Sequence, residues 1–171
     1  NREDTIADQE MTVELSRIDL KQFKKVLPYL PDVEGWLGGS AHYVDSEGQM
    51  MLSADVSLDH FVYEKSPLGN WAMNGVYLPG DNNTHHVDGF IMHNDQEIMF
   101  MNGIYQTDET GKENITGELE LQHFPLWVIN PFVPDGIVNF RGDIDGTLAM
   151  EGNPLKPVLN GGLQLDSVLM V

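Results

Sequence analysis

Six histidines are the first candidates for metal ligands in this sequence, and three of them lie in one short segment. His85, His86 and His93 are close to Asp88, and imidazole and carboxylate groups are common ligands of zinc. Adjacent strand residues point to opposite faces, so His85 and His86 would not converge on one ion. Neither a cysteine nor an H-E-x-x-H spacing completes a site. We therefore predict strand and loop histidines without a metal, and we expect no cofactor.

The carboxylates suggest a second kind of chemistry, general acid and base catalysis. Asp143 and Asp145 would share one strand face, as the two acids of a glycosidase can. Such pairs arise freely in a chain with 27 acidic residues. The DIDG segment at 143–146 begins like a calcium loop, but the glutamate that would complete the loop is missing. No serine lies in a G-x-S-x-G elbow, so we predict a protein that is not an enzyme.

The net charge of the chain argues against two classes of partner, nucleic acids and anionic membrane surfaces. The chain has 9 basic and 27 acidic residues, a net charge of −18. Phosphate binding needs a basic surface, so we expect no nucleic acid partner. Direct adhesion to an anionic membrane surface is disfavoured for the same reason. The acidic surface is typical of a β-rich protein that must stay soluble.

Apolar and polar residues alternate along most of the chain, which indicates strands with one apolar face. We predict nine strands near 11–18, 36–44, 50–64, 70–78, 86–93, 97–106, 114–122, 136–150 and 161–170, with turns that include 66–70 and a proline-containing connection at 152–157. Glycines recur within the strands, as in a strongly curved sheet. The predicted apolar face carries Met50, Leu52, Val56, Leu58, Ile115, Leu119, Leu121, Val138, Phe140, Ile144, Leu148, Met150, Leu163 and Leu165.

Two short helices are predicted, and each ends at the same proline-containing motif. The motif is LPYLPD at 27–32 and NPFVPD at 130–135, an offset of 103 residues. A strand precedes each copy and a glycine-rich stretch follows it. We interpret this as a repeat unit at about 12–116, with the start of the next at about 117–171. The chain begins at Asn1 and ends within an apolar run, so we expect one β-rich fragment of a longer protein.

Nine half-apolar strands need a cover that two short helices cannot supply. Two sheets could pack face to face, one sheet could close into a barrel, or one sheet could curl into an open trough. In the first case the apolar residues form an ordinary core. In the other two they can line a cavity or a groove.

The segment from about 117 to 171 resembles the TamB family of AsmA-like bacterial envelope proteins. The resemblance rests on a strand followed by the helix start FPL (124–126), a proline stop, the strand GDIDGTL (142–148), the connection GNPLKP (152–157) and the strand LNGGL (159–163). Residues 12–58 repeat this order loosely. The resemblance favours an all-β fold with two short helices, in which a strongly curved antiparallel sheet forms an open, taco-like hydrophobic trough. The alternative is a β-sandwich.

The resemblance also implies a function and a location. Family members lie in the periplasm as parts of proteins anchored in the inner membrane, and they are implicated in phospholipid transfer between the inner and outer membranes. TamB itself works with an Omp85-type outer-membrane barrel protein in outer-membrane assembly. We therefore expect phospholipid acyl chains as the ligand of the apolar face, and an Omp85-type partner for the full-length protein. A structural or adhesion module without a ligand is the alternative function, and a barrel carrier for one small ligand is less favoured.

Overall fold

One antiparallel sheet makes up most of the molecule. A computed structural model describes residues 8–134 and 138–170. The nine strands pair in sequence order, each with the next. They are β1 (Gln9–Asp19), β2 (Val33–Ser46), β3 (Gln49–Tyr63), β4 (Ser66–Pro79), β5 (Thr84–His93), β6 (Gln96–Thr107), β7 (Glu113–Pro125), β8 (Phe140–Asn153) and β9 (Lys156–Met170), with the α-helix α1 (Lys21–Val26) after β1 and the 3₁₀ helix η1 (Leu126–Phe132) after β7.

The nine predicted strands are all present, and most are longer than predicted. The predicted turn at 66–70 is wrong, because β4 already begins at Ser66 and Pro67 pairs with Val62. The connection at 152–157 is also shorter than predicted, since Pro157 lies in β9 and pairs with Gly152. Proline lacks an amide hydrogen, but β9 is an edge strand of the described sheet, where an outward backbone position needs none.

The sheet is a single layer and is not closed into a barrel, which confirms the predicted fold class and makes the β-sandwich alternative wrong. Within the described residues, β1 and β9 form its two edges. The chain exposes 12082 Å², whereas a compact protein of 19.2 kDa exposes about 8,400 Å² by size scaling. The excess area is what an uncovered sheet face produces.

Close backbone contacts and bulges curve the sheet. A Cβ atom at Gly117 would lie 2.3 Å from the carbonyl oxygen of Asn102 on the neighbouring strand, so only glycine permits that approach. Bulges interrupt the pairing of β3 near His60 and of β7 near His123. The side chain of Asn70 accepts a hydrogen bond from the freed His60 amide, and Asp145 accepts one from the His123 amide. These side chains satisfy backbone groups that the bulges leave unpaired.

The chain runs between two ends of the sheet, which we call the helix end and the far end. The helix end carries α1, η1 and the turns at 64–65 and 94–95, and the far end carries the turns at 47–48 and 154–155 and the loops at 80–83 and 108–112. The buried apolar side chains of the described residues all lie at the helix end: Leu68, Ile98, Leu126 and Val128. Two of them belong to η1, so η1 and the adjacent ends of β4 and β6 form the small core.

The two predicted helices differ in their surroundings. Helix α1 has no buried residue, and its last residue, Val26, is 75% exposed, while Tyr29 beyond the helix is 79% exposed. Helix η1 buries Leu126 and Val128, and it continues through Pro131, the predicted stop, to Phe132. Strand, short helix and two further strands follow one another in both segments, and the repeat itself stays a prediction. No helix among the described residues is long and apolar enough to cross a membrane.

Candidate functional site

The register of the sheet brings most of the predicted apolar residues to one face, which we call the trough face. Directly paired residues of antiparallel strands point to the same side, and Leu119 pairs with both Met101 and Leu148. One row toward the helix end, Gly146 pairs with Leu121 and Leu163. The candidates that share this face are Met50, Leu52, Val56, Leu58, Ile115, Leu119, Leu121, Ile144, Leu148, Met150, Leu163 and Leu165.

Two candidates are placed differently. Val138 was predicted within a strand, but β8 begins only at Phe140, so Val138 precedes the strand; the predicted strand start at 136–137 lies outside the described residues. Phe140 is the first residue of β8 and is separated from Ile144 by an irregularity in the pairing with β9. Asn130 of η1 binds the Phe140 backbone, accepting from its amide and donating to its carbonyl. Both residues therefore lie where the chain passes from η1 into β8. The prediction assumed that side chains alternate between the two faces from Val138 to Ile144, and the irregularity between Arg141 and Asp143 interrupts this alternation.

The sequence analysis missed trough-face residues on β1 and on the central strands β4 to β6. The pairing assigns Met73, Ile91 and Met99 to this face through Val56 and Leu121. Alternation was ambiguous here, since Ala72, Val76 and Leu78 on the opposite face of β4 are apolar as well. On β1, the residues Met11, Val13 and Leu15 pair with Tyr43, Ala41 and Gly39 of β2.

The trough face is largely uncovered. Met73 in the middle of the sheet is 51% exposed, and Val13 and Leu165 near its two edges are 54% and 62% exposed. Monomeric soluble proteins rarely expose a contiguous apolar surface of this kind unless it has a binding role. Near its centre the trough face has no large side chains along one row of paired residues across four strands: Ala41, Ala54, Gly75 and Gly89.

Helix η1 contacts the sheet at the helix end of the trough, with Trp127 and Phe132 still 39% and 56% exposed. Its Phe132 ring lies 4.4 Å from the ring of Tyr63 on β3, and its Trp127 ring meets the edge of His93 on β5 at 5.7 Å. Phe132 also lines a cavity of about 370 Å³ that has apolar lining residues only: Leu37, Val56, Leu58, Phe61, Leu68, Trp71, Ala72, Met73, Ile91 and Phe132. The cavity is continuous with the trough face through Val56 and Met73.

The polar atoms around this cavity are paired. The Leu68 carbonyl accepts hydrogen bonds from Trp71 Nε1 at 3.0 Å and from His93 Nε2 at 2.8 Å. His93 is 8% exposed, and the carbonyl acceptor fixes the ring hydrogen on Nε2. The buried histidine therefore positions the Trp71 and Trp127 rings and presents no polar atom to the cavity.

Hydroxyl groups and a histidine replace the purely apolar surface toward the far end. Tyr77 bonds His85 Nδ1 on the neighbouring strand, and His85 lies between the rings of Tyr77 and Tyr105 at 5.7 Å from each. Hydrogen bonding to Glu113 raises the pKa of Tyr105, because the carboxylate accepts from the protonated phenol. Tyr43 donates to Asp45. We call Tyr43, Tyr77, His85 and Tyr105 the tyrosine–histidine group.

The opposite face of the sheet is more polar. Ser57 and Asp55 alternate with the trough-face residues of β3, and Asn74 donates to Asp55 from β4. Glu118 and Glu120 occupy the corresponding positions on β7. On β4 to β6 the opposite face also carries apolar residues, and Leu78 and Ile104 there are 41% and 40% exposed. The apolar residues of the trough face extend over more strands, so a ligand with a large apolar surface meets its larger matching surface on that face.

In the part of the chain that the structure describes, the histidines considered as metal ligands and the acids considered for catalysis do not converge on one site. His85 and His86 lie on opposite faces, and His93 lies at the other end of β5. The Asp145 carboxylate is bound to the His123 amide and ring. Within the described ranges, no group of three His, Cys, Asp or Glu side chains could hold a metal ion.

Comparisons with known proteins return no significant match. No family model matches the sequence, and neither a curated protein nor a solved structure is significantly similar to it. The resemblance to the TamB family therefore rests on the quoted residues, and it stays a prediction.

Proposed function

We propose that this chain is a non-enzymatic carrier surface for phospholipid acyl chains, of the kind that the resemblance to the TamB family implies. The observation that carries the proposal is the uncovered trough face of a single-layer sheet. Burial of a CH₂ group stabilises a complex by about 0.8 kcal/mol. An acyl chain bound to the trough face would remove both its own CH₂ groups and the exposed apolar side chains from water, which favours binding.

The proposed setting is the bacterial envelope. In the full-length protein the trough would form part of a periplasmic path between the inner and outer membranes, with an anchor in the inner membrane and an Omp85-type barrel protein as a partner. A path for acyl chains requires no catalytic group and no fixed polar site. It requires a continuous apolar surface, which the paired rows of β3 to β9 supply.

The test compares two arginine substitutions at adjacent positions of β7. Leu119→Arg places a charge on the trough face, and Glu118→Arg places the same charge on the opposite face. We expect Leu119→Arg to abolish recovery of phospholipid with the purified chain, as measured by mass spectrometry, because an alkyl chain bound over the arginine would strip water from its charge at a large free-energy cost. Glu118→Arg should retain the lipid.

Circular dichroism must show an intact sheet in both variants. Equal recovery from the two variants would contradict the proposal, because lipid would then associate without using the trough face. Absence of lipid from the unsubstituted chain, with no binding of added phospholipid, would instead favour a structural module without a ligand.

A further inference from the structure

The trough is chemically different at its two ends, and this difference suggests how a lipid would lie in it. The cavity beneath η1 is lined by apolar residues only, among them Trp71 and Met73. Toward the far end, the tyrosine–histidine group brings hydroxyl and imidazole groups onto the same face. An amphiphile, with one apolar and one polar end, matches this arrangement in only one direction.

The distance between the two ends suits one acyl chain. Trp71 and Tyr77 are six residues apart on β4, which corresponds to about 20 Å at the rise of an extended strand. One leaflet of a bilayer has a hydrocarbon thickness of about 15 Å, half of the full core. Between Trp71 and Tyr77 the floor consists of small residues, including Ala54 and Gly75, which leaves room for an alkyl chain above the sheet.

His85 has a hydrogen-bonding position left for a ligand. The Tyr77 hydroxyl and His85 Nδ1 share a hydrogen bond whose direction depends on the tautomer of the ring, and the tautomer that accepts from Tyr77 carries its hydrogen on Nε2. Among the described residues, Nε2 has no hydrogen-bond partner. A donor at this position fits an acceptor oxygen, such as the ester carbonyl or the phosphate at the polar end of a phospholipid.

We propose that the trough holds a phospholipid in one orientation, with the methyl end of an acyl chain in the cavity beneath η1 and the acceptor oxygens of the polar end at the tyrosine–histidine group. This proposal rests on the proposed function and adds a direction to it. Because this cavity has apolar lining residues only, a polar end placed there would lose hydrogen bonds to water without gaining others.

The orientation is tested with a single tryptophan reporter. The substitutions Trp36→Phe and Trp127→Phe leave Trp71, which lines the cavity. Lysophosphatidylcholine is added with a nitroxide quencher either near the methyl end of its chain or near its head group. We expect the methyl-end label to quench Trp71 fluorescence more strongly. A matched reporter keeps only Trp36, which lies on the opposite face, and neither label should quench it.

Stronger or equal quenching of Trp71 by the head-group label would overturn the proposed orientation while leaving lipid binding intact. Quenching of the Trp36 reporter as strong as that of the Trp71 reporter would show that the lipid adsorbs to both faces, which contradicts the orientation as well. Failure of both labels to bind, measured by titration calorimetry, would instead count against the proposed function itself.

The polar end is tested with adjacent histidines. His85→Leu removes the donor on the trough face, and His86→Leu makes the same change on the opposite face. We expect His85→Leu to weaken lysophosphatidylcholine binding by up to about tenfold, as the loss of one hydrogen bond does. Binding of an apolar dye without acceptor groups should not change in either variant. An equal effect of both substitutions, or no effect of His85→Leu, would overturn the assignment of the polar end.

Discussion

At the scale of single residues, polar side chains of this protein mostly secure turns and bulges. Asp108 shows this in the loop between β6 and β7, where its Oδ1 accepts hydrogen bonds from the Thr110 amide, the Thr110 hydroxyl and the Lys112 amide at 2.9, 2.6 and 2.9 Å. These bonds favour the ionised carboxylate. They lower the pKa of Asp108, with the Thr110 hydroxyl as the largest cause.

We expect Asp108→Asn to lower the melting temperature at neutral pH. The pKa of Asp108 in the folded state lies below its value in the unfolded state, so its contribution is fully present above the unfolded pKa. The contribution is lost as the pH falls through the folded pKa, so the two melting temperatures should converge in acid. Thermal melts from neutral pH down to about pH 2 measure this, because the pH must fall below the ordinary aspartate pKa of about 3.9 for the contribution to be lost. Glu109→Gln removes a neighbouring charge as the control. A difference that persists unchanged in acid would contradict the assignment.

At the scale of the elements, close approach of strand backbones curves the sheet. Gly103 and Gly117 face each other on β6 and β7, yet their surroundings differ. A Cβ atom at Gly117 would meet backbone atoms at 2.3 and 2.9 Å, while a Cβ atom at Gly103 would have its nearest neighbour at 3.8 Å. The first approach is impossible without a backbone shift, and the second is an ordinary contact.

This asymmetry predicts different effects from two similar substitutions. Gly117→Ala should destabilise the protein by about 1–3 kcal/mol, the usual cost of forcing extra volume into a packed site. Gly103→Ala should change the free energy of unfolding by less than about 1 kcal/mol, since alanine fits and loses less chain entropy than glycine. Urea denaturation of both variants provides the measurement. Equal destabilisation would mean that β6 and β7 do not approach each other as closely at Gly117 as described.

At the scale of the whole molecule, the fold leaves one face of its sheet without a second layer. The core at the helix end is small, and Leu68 is its most deeply buried large side chain. Long strands paired by backbone hydrogen bonds therefore account for most of the ordered structure. The far end consists of paired strands, turns and loops.

This architecture predicts that the free energy of unfolding depends unusually weakly on urea concentration, that is, a low m-value. The folded chain exposes 12082 Å², and an unfolded chain of its mass exposes about 28,000 Å². The area exposed on unfolding is then about a fifth smaller than for a compact protein of the same mass, and the urea m-value should be lower in proportion. Lipid-free protein must be used, with a compact β-sandwich of similar length as the reference. An m-value equal to the reference would indicate that a second layer, or a second copy of the chain, covers the trough face.

The sequence by itself determined the strands and the polarity of their faces. Alternation along β3, β7 and β8 is a local property, since each strand residue points opposite to its neighbour whatever the partner strand is. The hexapeptides at 27–32 and 130–135 likewise marked both helices, because proline restricts the chain locally. The errors at 66–70 and 152–157 show the limit of this reasoning, because the effect of a proline depends on strand pairing that the sequence does not show. Pro67 lies in the first part of β4, whose pairing with β5 begins only at Trp71, and Pro157 lies in the edge strand β9.

The tertiary structure decided what these faces enclose. The register that unites Leu119 with Met101 and Leu148 depends on strand pairing across the sheet, and bulges near His60 and His123 shift it. Helix η1 packs against Tyr63 and His93 at the helix end, although the matching helix α1 stays exposed. Alternation specifies which way a side chain points. The pairing of distant strands determines which side chains meet, and here it leaves one apolar face open.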